Sequence, residues 1–150
     1  MMHPLNDPIF AEALYQTLLQ HEGHRTHPYT DTVGKITIGI GRNLTDRGLS
    51  TSEITTLYDT DIQLAAAALD DFWPDWRQAP QPAQIALLSM GFNLGLPRLR
   101  GFRKMRAALH RHDFEAAATE AEHSKWARQT GHRATHISAL LRRAAQQRAL

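Results

Sequence analysis

The stretch His21-Glu22-Gly23-His24-Arg25-Thr26-His27-Pro28-Tyr29-Thr30-Asp31-Thr32-Val33-Gly34-Lys35-Ile36-Thr37-Ile38-Gly39-Ile40-Gly41-Arg42 decides the fold. Before it, Phe10, Ala13, Leu14, Thr17 and Leu18 recur at helical spacing, which predicts a helix over about 7–21 with Gly23 as its terminator. Inside it the period changes. Ile36, Ile38 and Ile40 alternate and Val33-Gly34 supplies a turn, so Tyr29 to Ile40 reads as a hairpin or small sheet. Gly39, Gly41 and the polar run Asn43 to Ser50 read as loop.

Beyond that loop, Ser50-x-x-Glu53 forms a capping box. It is followed by Ile54, Leu57, Tyr58, Ala65, Ala68, Leu69 and Phe72, a helical pattern that stops before Pro74. Further helices open at Pro82, Pro97 and Asp113, and a last one spans about 132–149. One helix, a small antiparallel sheet, a long helix and a helical bundle make an α+β fold that is mostly α.

The same stretch carries the candidate chemistry. Glu22 sits at the end of the first helix, where the negative end of the dipole disfavours a carboxylate, as suits a general acid. Asp31 lies in the hairpin, where the chain folds back toward Glu22. Thr37 alternates with the isoleucines and is expected to point outward when they face a core. A protonated carboxyl beside an ionised one is what glycoside hydrolysis requires. An exposed Glu and a turn Asp are equally compatible with plain solvation.

Composition narrows the classes. No cysteine occurs in the 150 residues, which excludes a disulfide scaffold and thiol chemistry. Met1 to Gln20 does not read as a secretory signal, because Asp7 and Glu12 interrupt it and no basic region leads it. No apolar run is long enough for an integral membrane segment. Residues 1–75 hold 4 Lys/Arg against 11 Asp/Glu, a net of −7, and residues 76–150 hold 13 against 4, a net of +9. A basic half calls for an anionic partner or is simply a solvated face.

The residues Glu22-Gly23, Tyr29-Thr30-Asp31-Thr32, Gly34 and Thr37-Ile38-Gly39-Ile40-Gly41 resemble the active-site signature of the phage lysozymes of glycoside hydrolase family 24. The similarity continues through Leu57-Tyr58-Asp59-Thr60-Asp61, Phe92-Asn93-Leu94-Gly95, Gly101-Phe102, Ser124-Lys125-Trp126, Gln129-Thr130 and Arg133-Ala134. It implies a lysozyme-like two-lobed domain over 1–150, with a small lobe over about 22–52 and a connecting helix over about 51–72. The helical lobe would take the rest, from about 73 onward, together with the N-terminal helix.

The resemblance further implies a monomeric, cofactor-free and metal-free endolysin that cuts peptidoglycan between N-acetylmuramic acid and N-acetylglucosamine. Such an enzyme stays in the bacterial cytoplasm until it is released to the cell wall. Glu22 would be the general acid, Asp31 would stabilise the transition state or direct water, and Thr37 would hold that water. Arg133 matches an arginine that pairs with the catalytic glutamate, and Asn93 matches an amide that lines the substrate cleft. One departure stands out: a family histidine is replaced by Arg42, which suggests an ion pair between Arg42 and Asp61. The stretch between Gly41 and the long helix is also shorter.

Other features have competing readings. His21, His24 and His27 do not make an H-E-x-x-H metal site, and Gly39-Ile40-Gly41 lacks the third glycine of a dinucleotide fingerprint. Trp73 and Trp76 suit sugar stacking or packing, and Trp126 suits packing. Arg98, Arg100, Arg103, Lys104 and Arg106 crowd what reads as one short helix. Arg142, Arg143 and Arg148 form a basic face beside Ile137, Leu140 and Leu141, suited to weak contact with an anionic envelope. The rival functions are a lytic transglycosylase, a non-catalytic cell-wall binder and a DNA-binding module. Nucleic acid is not the expected partner, because DNA binding leaves Glu22, Asp31 and Thr37 without a role.

Overall fold

A computed structural model of the chain describes the backbone of residues 1–149 and the side chains of residues 1–147. Arg148, assigned above to a basic face, has its side chain outside the described residues. The architecture is mostly helical with one three-stranded antiparallel sheet, the α+β class read from the sequence. The chain divides into two compact units, Met1–Ile54 and Thr55 onward.

In the first unit, a short 3₁₀ helix, Pro4–Asn6, precedes α1, Pro8–Glu22. Asp7 caps α1 by accepting from the Ile9 N–H at 3.0 Å, with Pro8 at the first helical position. Gly23 ends it at φ +77°, and its N–H donates to the Leu19 carbonyl. Nothing in this unit buries a residue of α1. The sheet runs β1, Arg25–Thr30, then β2, Ile36–Gly39, then β3, Arg42–Asn43. Tyr29 pairs with Thr37 and Arg25 with Gly39, so four steps on β1 oppose two on β2. Pro28, which has no N–H for the ladder, falls inside that irregular stretch.

Two details depart from the expectation. The alternation on β2 is present with its sense reversed: Thr37 is 4% exposed and Ile36 is 50% exposed. Thr37 sits on the central strand between Tyr29 and Asn43, and this small unit has no apolar core beneath the isoleucines. The presumed loop after Asn43 also contains a helical turn, α2, Leu44–Arg47. The Asn43 side-chain oxygen accepts from the Asp46 N–H at 3.0 Å, and Gly48 stops the turn at φ +58°.

The long helix α3, Thr51–Phe72, begins at the expected capping box. Ser50 N–H donates to Glu53 Oε1 at 2.9 Å and Glu53 N–H donates to Ser50 Oγ at 3.1 Å. A 3₁₀ turn, Pro74–Gln78, follows, then α4, Gln81–Leu99, which breaks at Gly95, φ +75°. The segment restarting near Pro97 is the helix that proline announced. After it come α5 (Arg103–His110), α6 (Phe114–Glu122), α7 (Lys125–Thr130) and α8 (His132–Ala149).

The core lies entirely in this second unit, with Leu69, Phe72, Trp73, Leu87, Met90, Leu99, Met105, Phe114, Ile137 and Leu141 all 2% exposed or less. Trp73 and Trp76 belong to it, so packing describes both better than sugar stacking. Trp126 is in it too, edge-on to Phe102 at 6.1 Å. Arg142 on α8 reaches Glu115 and Glu122 on α6 and joins the two helices. The basic cluster does not form one helix. Arg98 lies in the last turn of α4, Arg100 follows that helix, and Arg103, Lys104 and Arg106 begin α5.

Candidate active site

Asp31 closes the β1–β2 turn. Its N–H donates to the Lys35 carbonyl at 2.8 Å, and its carbonyl accepts from Gly34 N–H at 3.1 Å. Its side-chain Oδ1 accepts two backbone N–H groups, from Lys35 at 2.8 Å and Val33 at 3.0 Å. That leaves Oδ2 facing the Thr37 hydroxyl, which donates to it at 3.4 Å. Half of the carboxylate is therefore committed to shaping the turn and half is available. The Lys35 backbone N–H holds the Asp31 carboxyl below the usual aspartate value, opposed by partial burial and helped by Val33, Thr37 and the Lys35 charge. Asp31 is thus an ionised group near neutral pH.

Thr37 owes its position to the central strand. Its Oγ1 lies 3.4 Å from both Asp31 Oδ2 and the Lys35 carbonyl, both long contacts. Next to it, the Ile36 N–H is held by Thr45 Oγ1 at 2.8 Å, which ties β2 to α2.

Glu22 is the last residue of α1 and is exposed. Its carboxyl rests against Gly41 in the β2–β3 turn. A Cβ built on Gly41 would come within 2.7 Å of Glu22 Oε2 and 2.8 Å of its Cδ. Gly41 also has φ +74°, a conformation that favours glycine, and a Cβ there would displace the Glu22 carboxyl. Gly39 has no such contact: a Cβ there would meet open space.

Arg42, at the start of β3, was expected to pair with Asp61. Within the first unit its guanidinium pairs with Glu53 at 2.5 Å and donates to the Gly48 carbonyl at 3.3 Å. Glu53 lies in the first turn of α3, one helical turn past β3 and α2, and it is already oriented by Ser50. The Arg42 hydrogen bond, with the Ser50 backbone and side chain, pulls the Glu53 carboxyl down to about 2.

The two remaining predicted residues lie in the second unit. Asn93 on α4 is exposed, and its Oδ1 accepts from the Trp126 indole N–H at 3.0 Å. Arg133, in the first turn of α8, is exposed and has no acidic partner among the described residues of the second unit. No group of three His, Cys, Asp or Glu that could hold a metal occurs among the described residues. No helix among them is long and apolar enough to cross a membrane.

Sequence reasoning did not single out Gly41 as the seat of Glu22, nor Lys35 as the residue whose backbone orients Asp31. The glycine left a signal, because Gly39 and Gly41 bracket a single residue where a simple strand needs no glycine. A backbone donor leaves none.

A helix-end glutamate seated on a sheet turn, an ionised turn aspartate and a buried strand threonine all lie in the first unit. The phage lysozyme family matches residues 19–147, and the chain belongs to that family. Among individual proteins it is similar to the pre-baseplate central spike protein Gp5 of Enterobacteria phage T4, 26% identical over 157 aligned positions. That similarity covers 86% of this chain, which spans only 27% of the spike protein's length.

Proposed function

We propose that this chain is a peptidoglycan hydrolase that cuts the β-1,4 bond between N-acetylmuramic acid and N-acetylglucosamine and acts as an endolysin. The observation that carries this reading is the Asp31–Thr37 arrangement, with one carboxylate oxygen fixed by backbone N–H groups and the other on the Thr37 hydroxyl. In one unit with it, Glu22 is seated against the Gly41 turn.

Glu22 donates its proton to the glycosidic oxygen as the bond breaks. Positive charge develops on the sugar ring, and the ionised Asp31 stabilises it or directs the attacking water. Thr37 Oγ1 holds that water. With water as nucleophile the anomeric configuration inverts, and no covalent sugar–enzyme intermediate forms. Asn93 and Arg133 are assigned to substrate binding on the strength of the family resemblance alone.

Purified Gram-negative sacculi lose turbidity with the wild-type chain and not with Glu22→Gln if this reading is right; equal clearing by both overturns it. The products separate the nearest rival, since a hydrolase leaves reducing ends and a lytic transglycosylase leaves anhydro-sugar ends. The spike-protein similarity favours a second setting for the same chemistry, in which such a domain serves a phage particle. Lysis of cells that make this chain together with a membrane pore, and not of cells making the chain alone, assigns it to release from within.

A further inference from the structure

Nine basic residues of the second unit fall into two groups, to neither of which Arg128, Arg133 and Arg143 belong. Arg77 pairs with Asp70, Arg100 with Asp71, Arg111 with Asp113, and Arg142 with Glu115 and Glu122. Arg106 is occupied by the carbonyls of Phe72 and Asp71. The second group collects elsewhere. Arg98, Arg103, Lys104 and Lys125 all line one hollow of about 680 Å³ and, among the described residues, none has an acidic partner. His123 joins them at the rim, and the lining includes one acid, Glu120. The wall between them is apolar, built from Phe102 and Trp126 in their edge-to-face contact.

Four like charges around one hollow repel one another, a cost that is removed when an anion neutralises them together. A single carboxylate would answer one of the four. Phosphate groups carry more charge per group and match the fork of Arg98 and Arg103 bidentately, while the two lysines contribute point charge. The aromatic wall suits the uncharged body to which such phosphates are attached. The hollow's size falls within the range of ordinary ligand sites.

We infer that this hollow is a phosphate-binding site, used to dock the chain on phosphate-bearing lipid headgroups of the cell envelope. It involves none of Glu22, Asp31 and Thr37, although its wall residue Trp126 donates to Asn93, which is assigned above to substrate binding.

The test is co-sedimentation of the full chain with vesicles of phosphatidylglycerol and phosphatidylcholine in equal parts, against phosphatidylcholine alone, at low salt. A parallel arm measures binding of inorganic pyrophosphate by calorimetry. The variant Arg98→Gln/Lys104→Gln removes two unpaired cations, and Arg77→Gln/Arg100→Gln removes the same formal charge from paired positions. Each lost cation near an anionic surface weakens adsorption about fivefold, so the first variant should bind the anionic vesicles about 25-fold more weakly. The second should stay within about twofold of wild type, because its cations are already neutralised. Pyrophosphate binding lost in the first variant without any vesicle binding keeps the phosphate site and assigns it to a soluble phosphate ester. Equal losses in both variants reduce the effect to net charge and overturn the site, as does a wild-type chain that binds neither probe. Arg103→Gln/Lys125→Gln, from other corners of the hollow, carries the same expectation should the first variant fail to fold.

Discussion

The carboxyl group of Glu22 occupies the space in which a side chain on Gly41 would lie. α1 and the β2–β3 turn thereby meet at the residue proposed to give up the proton. Because the turn is backbone at that point, it is a rigid seat rather than a flexible one. Gly41→Ala must strain a positive φ and push the Glu22 carboxyl away by a substantial fraction of an ångström. Misplacement on that scale costs about 100-fold in rate. Clearing of sacculi should fall by about that factor, mostly in kcat, with the far-ultraviolet circular dichroism retained. Gly39→Ala, which meets no side chain, is the control: its conformational strain is similar but Glu22 stays in place. Equal loss of activity in both would reduce the role of Gly41 to turn geometry.

Asp31 is held ionised chiefly by a backbone donor, so its charge should survive loss of the neighbouring hydroxyl. Thr37→Val is expected to raise the Asp31 titration slightly while leaving it below the ordinary aspartate value, because Lys35 and Val33 still donate. Activity should fall far more than the titration moves, since the variant loses the proposed water holder. Carboxyl titration by nuclear magnetic resonance beside a clearing assay separates the two effects. An Asp31 titration that climbs above 3.8 in Thr37→Val would show that the hydroxyl, and not the turn, controls it.

Arg42 and Glu53 set an acid limit on the first unit. The Glu53 carboxyl titrates at about 2 when folded and near 4.5 when free. A depressed folded value means that the stabilisation is complete above about 4.5 and disappears as the pH falls through about 2. Glu53→Gln keeps an oxygen to accept the Ser50 N–H and removes only the charge. It should therefore be less stable than wild type at pH 7, with the gap closing across that acid range. Thermal melts at a series of pH values read it directly. Asp61→Asn should show no such dependence, and if it does, the sequence-based pairing with Arg42 is restored.

Asn93 offers a case in which a structural and a substrate-binding role can be told apart. Its side-chain oxygen is the acceptor for the Trp126 indole N–H, and Trp126 is 4% exposed. Asn93→Ala strands that donor in a nearly dry position, a loss of about 1–3 kcal/mol. The melting temperature should drop accordingly. If Asn93 also contacts substrate through its free amide, KM rises in Asn93→Asp, which retains the acceptor and so spares stability. A normal KM in Asn93→Asp assigns the residue to packing alone.

The helices were legible in sequence because their signals are local. Ser50-x-x-Glu53, Asp113 and Gly23 each satisfy or end a helix with atoms no more than a few residues away. The α2 turn was missed although its cap is equally local, because Asn43 to Ser50 lacks the apolar period that usually draws attention to a helix. The sense of burial on β2 was misread for a different reason. Alternation tells which residues share a face, and only packing tells which face is covered, so Ile36 lies outside and Thr37 inside.

By itself the sequence determined the class of the fold and the family, and it singled out Glu22, Asp31 and Thr37 as candidates, since these rest on spacing and residue type. Tertiary structure alone decided what each of them touches. The seat of Glu22 on Gly41, the pairing of Arg42 with Glu53, and the gathering of unpaired cations about Phe102 and Trp126 all join residues distant in the chain. Such contacts depend on how elements converge in space, and neither propensity nor periodicity records that.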